Sequence, residues 1–453
     1  MPRIESITAR EVLDSRGSPT VEAQVIVAGN FSGMAMVPSG ASIGEHEAKE
    51  LRDNDPARFD GKGVLTAVKH IKVDIHAALL GKDTSNQKKI DLTMIELDGT
   101  ANKSRLGANA LIAVSLACAR AEAAAQGLPL YLYLQQLFPK REPVMPVPQM
   151  NLINGGQHAS NGLSIQEYHV LPIGKSSFAE ALRMGVEIHN ALKKLLLAEG
   201  FQVELADEGG FAPKVEKSET VFTLLVRAIE MAGYVPGVDA FLGIDAAASV
   251  FYDREQKVYL LDGAQITASD LAYQYKVWRE RYPLISFEDP FAEDSWDDWK
   301  KFMKDNGGAA QVAGDDLYVT SMGRIREGIL AGATNAVLIK PNQVGTLTET
   351  LQAILLAQEA KQNVIISHRS GETEDHFIAD LAVAVGAGEI KTGAPTRSER
   401  TAKYNRLLRI EDELHPKLAH TLQPFLQYNQ PKYHDAALTP PTPSSSAPVR
   451  IKM

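Results

Sequence analysis

Apolar and polar positions alternate at the start of the chain: Val21, Ala23, Val25 and Val27 are separated by Glu22 and Gln24, and Gly29-Asn30 precedes a second extended run from Phe31 to Val37. A period of two with a turn residue between runs predicts strands, so the first 37 residues read as an antiparallel meander. From Leu106 to Gln126 the pattern becomes helical and alanine-rich, with Gly127 at the stop and Pro129 just beyond. The opening unit is therefore mixed α and β. The proline-spaced segment Pro143-Val144-Met145-Pro146-Val147-Pro148 breaks both periods and reads as a boundary. After it, short apolar runs alternate with longer amphipathic ones, the rhythm of βα units and a parallel sheet. The runs at 166–172, 201–205, 240–245, 284–288, 310–315, 336–340, 363–368 and 389–392 predict eight strands, the number that closes a barrel. No glycine-rich phosphate loop follows the first of them, which argues against a doubly wound open sheet.

Catalytic groups of barrel enzymes stand where strands end. Asp245 closes Phe241-Leu242-Gly243-Ile244, Glu288 closes Leu284-Ile285-Ser286-Phe287, and Asp315 follows Gln311-Val312-Ala313-Gly314. A single acid in such a place is explained by capping the next helix. Three in succession bring mutually repelling carboxylates to one rim, and a cation is the natural compensation. An all-oxygen set favours magnesium or manganese over zinc or copper. The next strands end in bases: Lys340 after Val337-Leu338-Ile339, His368-Arg369-Ser370 after Ser367, and Lys391 after Ile390. These suit an anionic substrate, with carboxylate or phosphate on Arg369 and Lys391. A lysine beside a divalent cation and another lysine is expected to have a lowered pKa and to act as a base. Gly155-Gly156 and Gly209-Gly210 adjoin polar residues, and close approach of backbone to a ligand is their expected purpose.

The 453 residues suit two or three domains, and 44% hydrophobic with 23% charged residues is a globular balance. A formal charge of −9 leaves no broad basic surface for nucleic acid. The start has no signal-like apolar core, and no run approaching the length of a membrane span stands out, so a cytoplasmic protein is expected. The single Cys118 lies among alanines and reads as a buried small hydrophobe; Trp296 and Trp299 read as core. From about Gln430 the Pro/Ser-rich tail is expected to be disordered.

Over Ile4 to about Leu414 the chain resembles the enolase family. The resemblance is carried by Leu13-Asp14-Ser15-Arg16-Gly17, Val37-Pro38-Ser39-Gly40-Ala41-Ser42, Asn154-Gly155-Gly156-Gln157-His158-Ala159, Asp207-Glu208-Gly209-Gly210-Phe211, Glu288-Asp289-Pro290-Phe291, Ser367-His368-Arg369-Ser370-Gly371-Glu372-Thr373 and Arg397-Ser398-Glu399-Arg400. It implies an α/β protein with an N-terminal α+β domain (1–135), then a modified eight-stranded αβ barrel of the TIM-like kind (143–429) whose early strands are not all parallel, then the tail (430–453). The implied activity is that of a magnesium-dependent carbon–oxygen lyase interconverting 2-phosphoglycerate and phosphoenolpyruvate in glycolysis and gluconeogenesis. By resemblance, Asp245, Glu288 and Asp315 hold the first of two Mg²⁺ ions per site, and Ser39 helps hold the second, which arrives with substrate. Lys340 takes the C2 proton, Glu208 is the general acid supported by Glu167, Lys391 faces the substrate carboxylate, and Arg369 with Ser370 holds phosphate. His158, Gln166 and His368 complete the pocket, and a homodimer or larger assembly of dimers is implied. Ile43, Ala206 and Pro341 depart from the family pattern, which leaves a paralogue acting on a related phosphonate or acid as one alternative and a non-catalytic binding or surface protein as another.

Overall fold

A computed structural model describes residues 2–40, 46–138, 142–173, 175–414 and 425. Ile43 and the tail from Gln430 lie outside the described residues. The N-terminal sheet is the expected meander: β1 (Ile4–Leu13), β2 (Pro19–Val27) and β3 (Phe31–Met36), antiparallel in that order. Across it lies the helix Ala108–Ala125, whose alanines allow unusually close approach. At Gly33 a Cβ would sit 2.1 Å from the Ala117 carbonyl oxygen, so only glycine fits beneath this helix. The helix has the length and apolarity of a membrane span, contrary to the sequence-based expectation, but 83% of it is buried inside the protein, Cys118 included.

The barrel is closed by β4 (Val147–Asn154), β5 (Glu167–Leu171), β6 (Phe241–Asp245), β10 (Leu284–Glu288), β11 (Gln311–Gly314), β12 (Ala336–Ile339), β13 (Asn363–Ser367) and β14 (Gly388–Lys391), with β14 pairing back to β4. The intervening β7 (Tyr252–Asp253), β8 (Val258–Leu261) and β9 (Ala264–Ile266) form a small separate sheet. Seven barrel strands fall on predicted runs. The run at 201–205 does not: Leu205 makes one isolated bridge to Phe211 and stays 43% exposed. Its place is taken by β4, which starts inside the proline-spaced segment read as a boundary. Pro148 lacks an N–H, and Gln149, Asn151 and Asn154 face a polar interior, so β4 shows no apolar run although every residue is buried. β5 runs antiparallel to both neighbours, and β6 and β10 to β14 pair in parallel, as the resemblance implied. At the pole formed by Val147, Leu171, Ile173, Phe241 and Ile285, the Phe425 side chain is buried among these apolar groups.

The N-terminal unit is fastened to the barrel by buried polar contacts. Ser39 and Gly371 exchange two backbone hydrogen bonds, at 2.8 and 2.9 Å. Arg120 forks onto Asp375 at 2.5 and 2.7 Å. Asp91, fully buried, caps the barrel helix Leu347–Glu359 from the other unit, accepting from the Thr348 N–H (2.9 Å) and hydroxyl (2.6 Å). Burial pushes the Asp91 carboxyl up to about 6, against the hydrogen bonds from Thr348, Ser115 and Gln87 that favour its ionised form. A carboxyl raised in the folded state contributes stability below its unfolded value near 3.8 that is lost as pH rises through about 6. Asp91→Asn does not titrate. We predict that variant stability minus wild-type stability, from urea unfolding at each pH, grows by about 2–3 kcal/mol between about pH 4 and pH 6 and is level above about pH 7. A difference that is flat over that window contradicts this reading of the joint.

Candidate active site

The barrel register sets the acids side by side. Asn154 of β4 pairs with Glu167 of β5, Glu167 with Asp245 of β6, and Asp245 with Glu288 of β10. Because β5 runs the opposite way, its first residue, rather than its last, reaches the rim where β4, β6 and β10 end. Across the barrel, Ser367 pairs with Lys391. The cleft enclosed has about 450 Å³ of space, and Glu47, His158, Glu208, Asp315, Arg369 and Lys391 stand among its walls.

At its floor Lys391 donates to Asp245 Oδ2 at 2.9 Å and to both Glu288 oxygens at 2.8 and 2.9 Å, with Glu167 Oε1 at 3.3 Å. All four groups are buried. Burial works against the ammonium, but Asp245, Glu167 and Glu288 outweigh it and hold Lys391 well above its ordinary range. The carboxylates diverge. Burial and the neighbouring Asp245 push Glu288 well up, whereas Asp245, itself raised by burial, is brought below its ordinary value by Lys391. One ammonium does not compensate this set.

Lys340 pairs with Asp315 Oδ2, and Gln343 donates to Asp315 Oδ1 at 3.3 Å. Burial alone lowers Lys340, yet Asp315 prevails and the net shift is upward, the reverse of the lowered pKa expected for a base. A cation beside Lys340 would lower it; here the nearest charged neighbour is the Asp315 carboxylate, which raises it. Lys340 has an extended backbone (φ −124°, ψ 107°), which accommodates Pro341 at the head of a short 3₁₀ turn.

Glu167 and Glu208 form a second pair of acids, with His158 Nδ1 at 3.8 Å from each. Burial and the charge of Glu208 raise Glu167 to about 8. Glu208, despite its burial, is held well below the carboxylate range by His368 and His158. The two acids are thus driven apart, Glu167 toward its protonated form and Glu208 toward its ionised one. Asn151 donates to Glu208 Oε2 at 2.9 Å, and His169 Nε2 lies 2.9 Å from Glu167 Oε2. Gln166 lines the same wall, its N–H on the Asp245 carbonyl at 3.1 Å.

At the opposite wall Arg369 meets Glu47 in a two-bond pair, 2.9 and 3.1 Å, beside Asn342. Ser370 and His368 are buried next to it. Ser39 stands at the edge: its hydroxyl donates to Glu50 at 3.1 Å and accepts from Arg52 at 2.9 Å, while Gly40 lines the cleft. Every candidate residue is thus at or beside one cleft. Asn151, His169, Glu47 and Asp289 were not singled out from sequence. Asp289, with a left-handed backbone (φ 42°), accepts from the Asp315 and Asp316 N–H groups at 3.0 and 2.8 Å and so fixes the Asp315 loop. Asp289, Asp315 and Asp316 place carboxylate oxygens within 4.8 Å of one another, and a ring nitrogen of His158 and oxygens of Glu167 and Glu208 lie equally close together. At two of these glycines packing within the chain already demands the residue: a Cβ on Gly210 would meet Asn154 Oδ1 at 2.4 Å, and one on Gly155 the Ile165 carbonyl oxygen at 2.4 Å.

Two family models match the chain. One, described as the enolase N-terminal domain, spans residues 4–134; the other, the enolase C-terminal TIM barrel domain, spans residues 142–427.

Gly371 packs tightly against the N-terminal unit, since a Cβ there would sit 2.2 Å from Arg16 Nη2 and 2.4 Å from Asp14 Oδ2. Asp14 cannot yield easily, because its Oδ1 accepts from Arg16 and Ser18 N–H groups. We predict that Gly371→Ala opens the Ser39 bridge and raises deuterium exchange of the Ser39 amide by at least about tenfold, with the global transition little moved. Unchanged protection in exchange mass spectrometry would show that the contact is not tight.

Proposed function

The chain belongs to the enolase family, and we propose that it catalyses the reversible dehydration of 2-phosphoglycerate to phosphoenolpyruvate. One observation carries the reading: the acids suited to a cation and the bases suited to an anion neutralise one another in one buried cleft. Lys391 lies on Asp245 and Glu288, Lys340 on Asp315, and Arg369 on Glu47. A divalent cation and a polyanionic substrate together satisfy both sets, whereas either alone leaves buried charge unpaired.

The donor set fits magnesium: carboxylate oxygens only, buried, with Glu288 pushed up by burial and by its acidic neighbours. Asp245, Glu288 and Asp315 would hold one ion, and Ser39 would exchange Glu50 and Arg52 for a second. Bound magnesium supplies positive charge to the substrate carboxylate as its neighbouring C–H is ionised. The remaining work falls to side chains. Lys391, freed from the acids, faces the substrate carboxylate, and Arg369 with Ser370 holds the phosphate. Lys340, freed from Asp315, takes the C2 proton on Nζ. The C2 electron pair becomes the C2–C3 double bond as the C3–O bond breaks, and the hydroxyl leaves as water with a proton from the Glu208–Glu167 pair. His158, Gln166 and His368 close the wall around C3. The proposal includes a homodimer or assembly of dimers and a cytoplasmic location, as the family implies.

The two acid–base groups act at different bonds, so they separate experimentally. Lys340→Ala is predicted to abolish exchange of the C2 proton of 2-phosphoglycerate with solvent deuterium. Glu208→Gln is predicted to keep exchange while dehydration falls by about 10²–10⁴-fold, the usual range for a general acid. Equal exchange by the two variants, followed by NMR, sinks this division of roles.

A further inference from the structure

Arg400, on the helix Ser398–Leu414, is fully buried although it carries a permanent charge. Such a group persists only where most of its donors are used; here Nε alone makes no hydrogen bond, lying 3.6 Å from Glu399 Oε1, and the two terminal nitrogens are engaged. Nη1 lies 2.7 Å from His368 Nδ1 and donates to the Arg369 carbonyl at 2.7 Å; Nη2 donates to the carbonyls of Ser370 at 2.6 Å and Asp207 at 3.0 Å. All four acceptors belong to residues in or next to the proposed site, and none to the helix that carries Arg400. A guanidinium has donors only, so His368 Nδ1 must accept, and the ring proton is placed on Nε2. That nitrogen faces Glu208 Oε2 at 3.4 Å. Burial, the largest influence on His368, pushes it down to about 3, against the neighbouring Glu208, which favours the charged ring. One turn along the same helix, Lys403 donates to Glu372 Oε2 and the Thr373 carbonyl at 2.7 and 2.6 Å, and Glu372 in turn accepts from the Arg369 N–H at 3.2 Å. Packing leaves no slack here: a Cβ on Gly393 would meet the Glu208 carbonyl oxygen at 2.7 Å and Arg400 Cδ at 3.0 Å.

We propose that Arg400 is a positioning residue of the reaction, fixing the tautomer of His368 so that an N–H faces Glu208 and tying Asp207, Arg369 and Ser370 into one block. The proposal rests on the dehydratase reading above. Within it, the acid at C3 and the guanidinium on the phosphate are held at a fixed separation by a side chain that touches neither substrate nor metal. Lysine cannot substitute, because a single ammonium cannot span four acceptors arranged around a planar fork.

The test uses the full chain as wild type, Arg400→Lys and Arg400→Met. In ¹⁵N-histidine NMR without substrate, wild type is expected to show His368, identified by loss of its signals in His368→Gln, with a bare Nδ1 and a protonated Nε2. Both variants are expected to shift these signals toward a mixture of tautomers. On 2-phosphoglycerate, KM should rise as the phosphate holders Arg369 and Ser370 loosen, while at saturating substrate C2-proton exchange should stay within about threefold of wild type and dehydration should fall by about 10²-fold, the loss in turnover lying in the acid step. A His368 tautomer unchanged in a folded variant, or exchange and dehydration falling in parallel, overturns the proposal. Should Arg400→Met fail to fold, Arg400→Lys, which retains the buried cation, is decided by the same two outcomes. Wild type inactive on 2-phosphoglycerate removes the dehydratase reading, and the tautomer measurement then stands alone as the test of the Arg400–His368 contact.

Discussion

Lys391 is the point on which the interior charge balance turns. A carboxylate moved without a partner into a closed barrel costs several kcal/mol, and this barrel brings Glu167, Asp245 and Glu288 to a single point. Lys391 meets all three because β14 faces β6 and β10 across the interior and has β4 alone between it and β5, an arrangement that exists only once the sheet has closed through β4. Closure of the barrel and neutralisation of the site are therefore one event. The reversed direction of β5 belongs to the same constraint: run parallel, it would present Leu171 at the rim and send Glu167 to the apolar pole near Phe425.

Charge cancellation within the protein is incomplete, and the residue of it is the functional property. Glu288, Glu167, Asp289 and Asp316 are all raised by burial and by neighbouring acids, Asp245 among them in every case, which marks a site built with more negative charge than its own cations satisfy. A structure meant only to be stable would replace such groups with apolar ones of similar volume. Here they are held instead by neutral or outer donors: Asn151 on Glu208, His169 on Glu167, and backbone N–H groups on Asp289. These contacts fix the acids without discharging them.

Sequence reasoning found the parts of this arrangement that follow strand polarity. Asp245, Glu288, Asp315, Lys340, Arg369 and Lys391 each close a run of apolar residues, so alternation and strand-end placement were enough. Glu167 and Gln166 begin their strand and escape that rule; they entered only through the family resemblance, as did His158, Glu208 and Ser39. β4 was missed because its inward residues are amides serving Glu208 and the barrel interior, so the strand that carries Asn151 looks like a polar, proline-interrupted linker. The run at 201–205 was apolar enough to mislead, but no strand edge was left for it once β4 and β5 had paired. The direction of the Lys340 shift also lay beyond sequence, because it depends on whether a carboxylate or a cation is the nearer neighbour.

The central claim is that acids and bases which neutralise each other in the folded chain separate to receive a cation and a phosphorylated acid together. The most direct measurement is the ultraviolet signal of the enol product formed from 2-phosphoglycerate by chelator-treated protein, before and after magnesium is restored. The account predicts no product without the ion and steady formation with it. Full turnover after thorough chelation, or none after magnesium is returned, would contradict it.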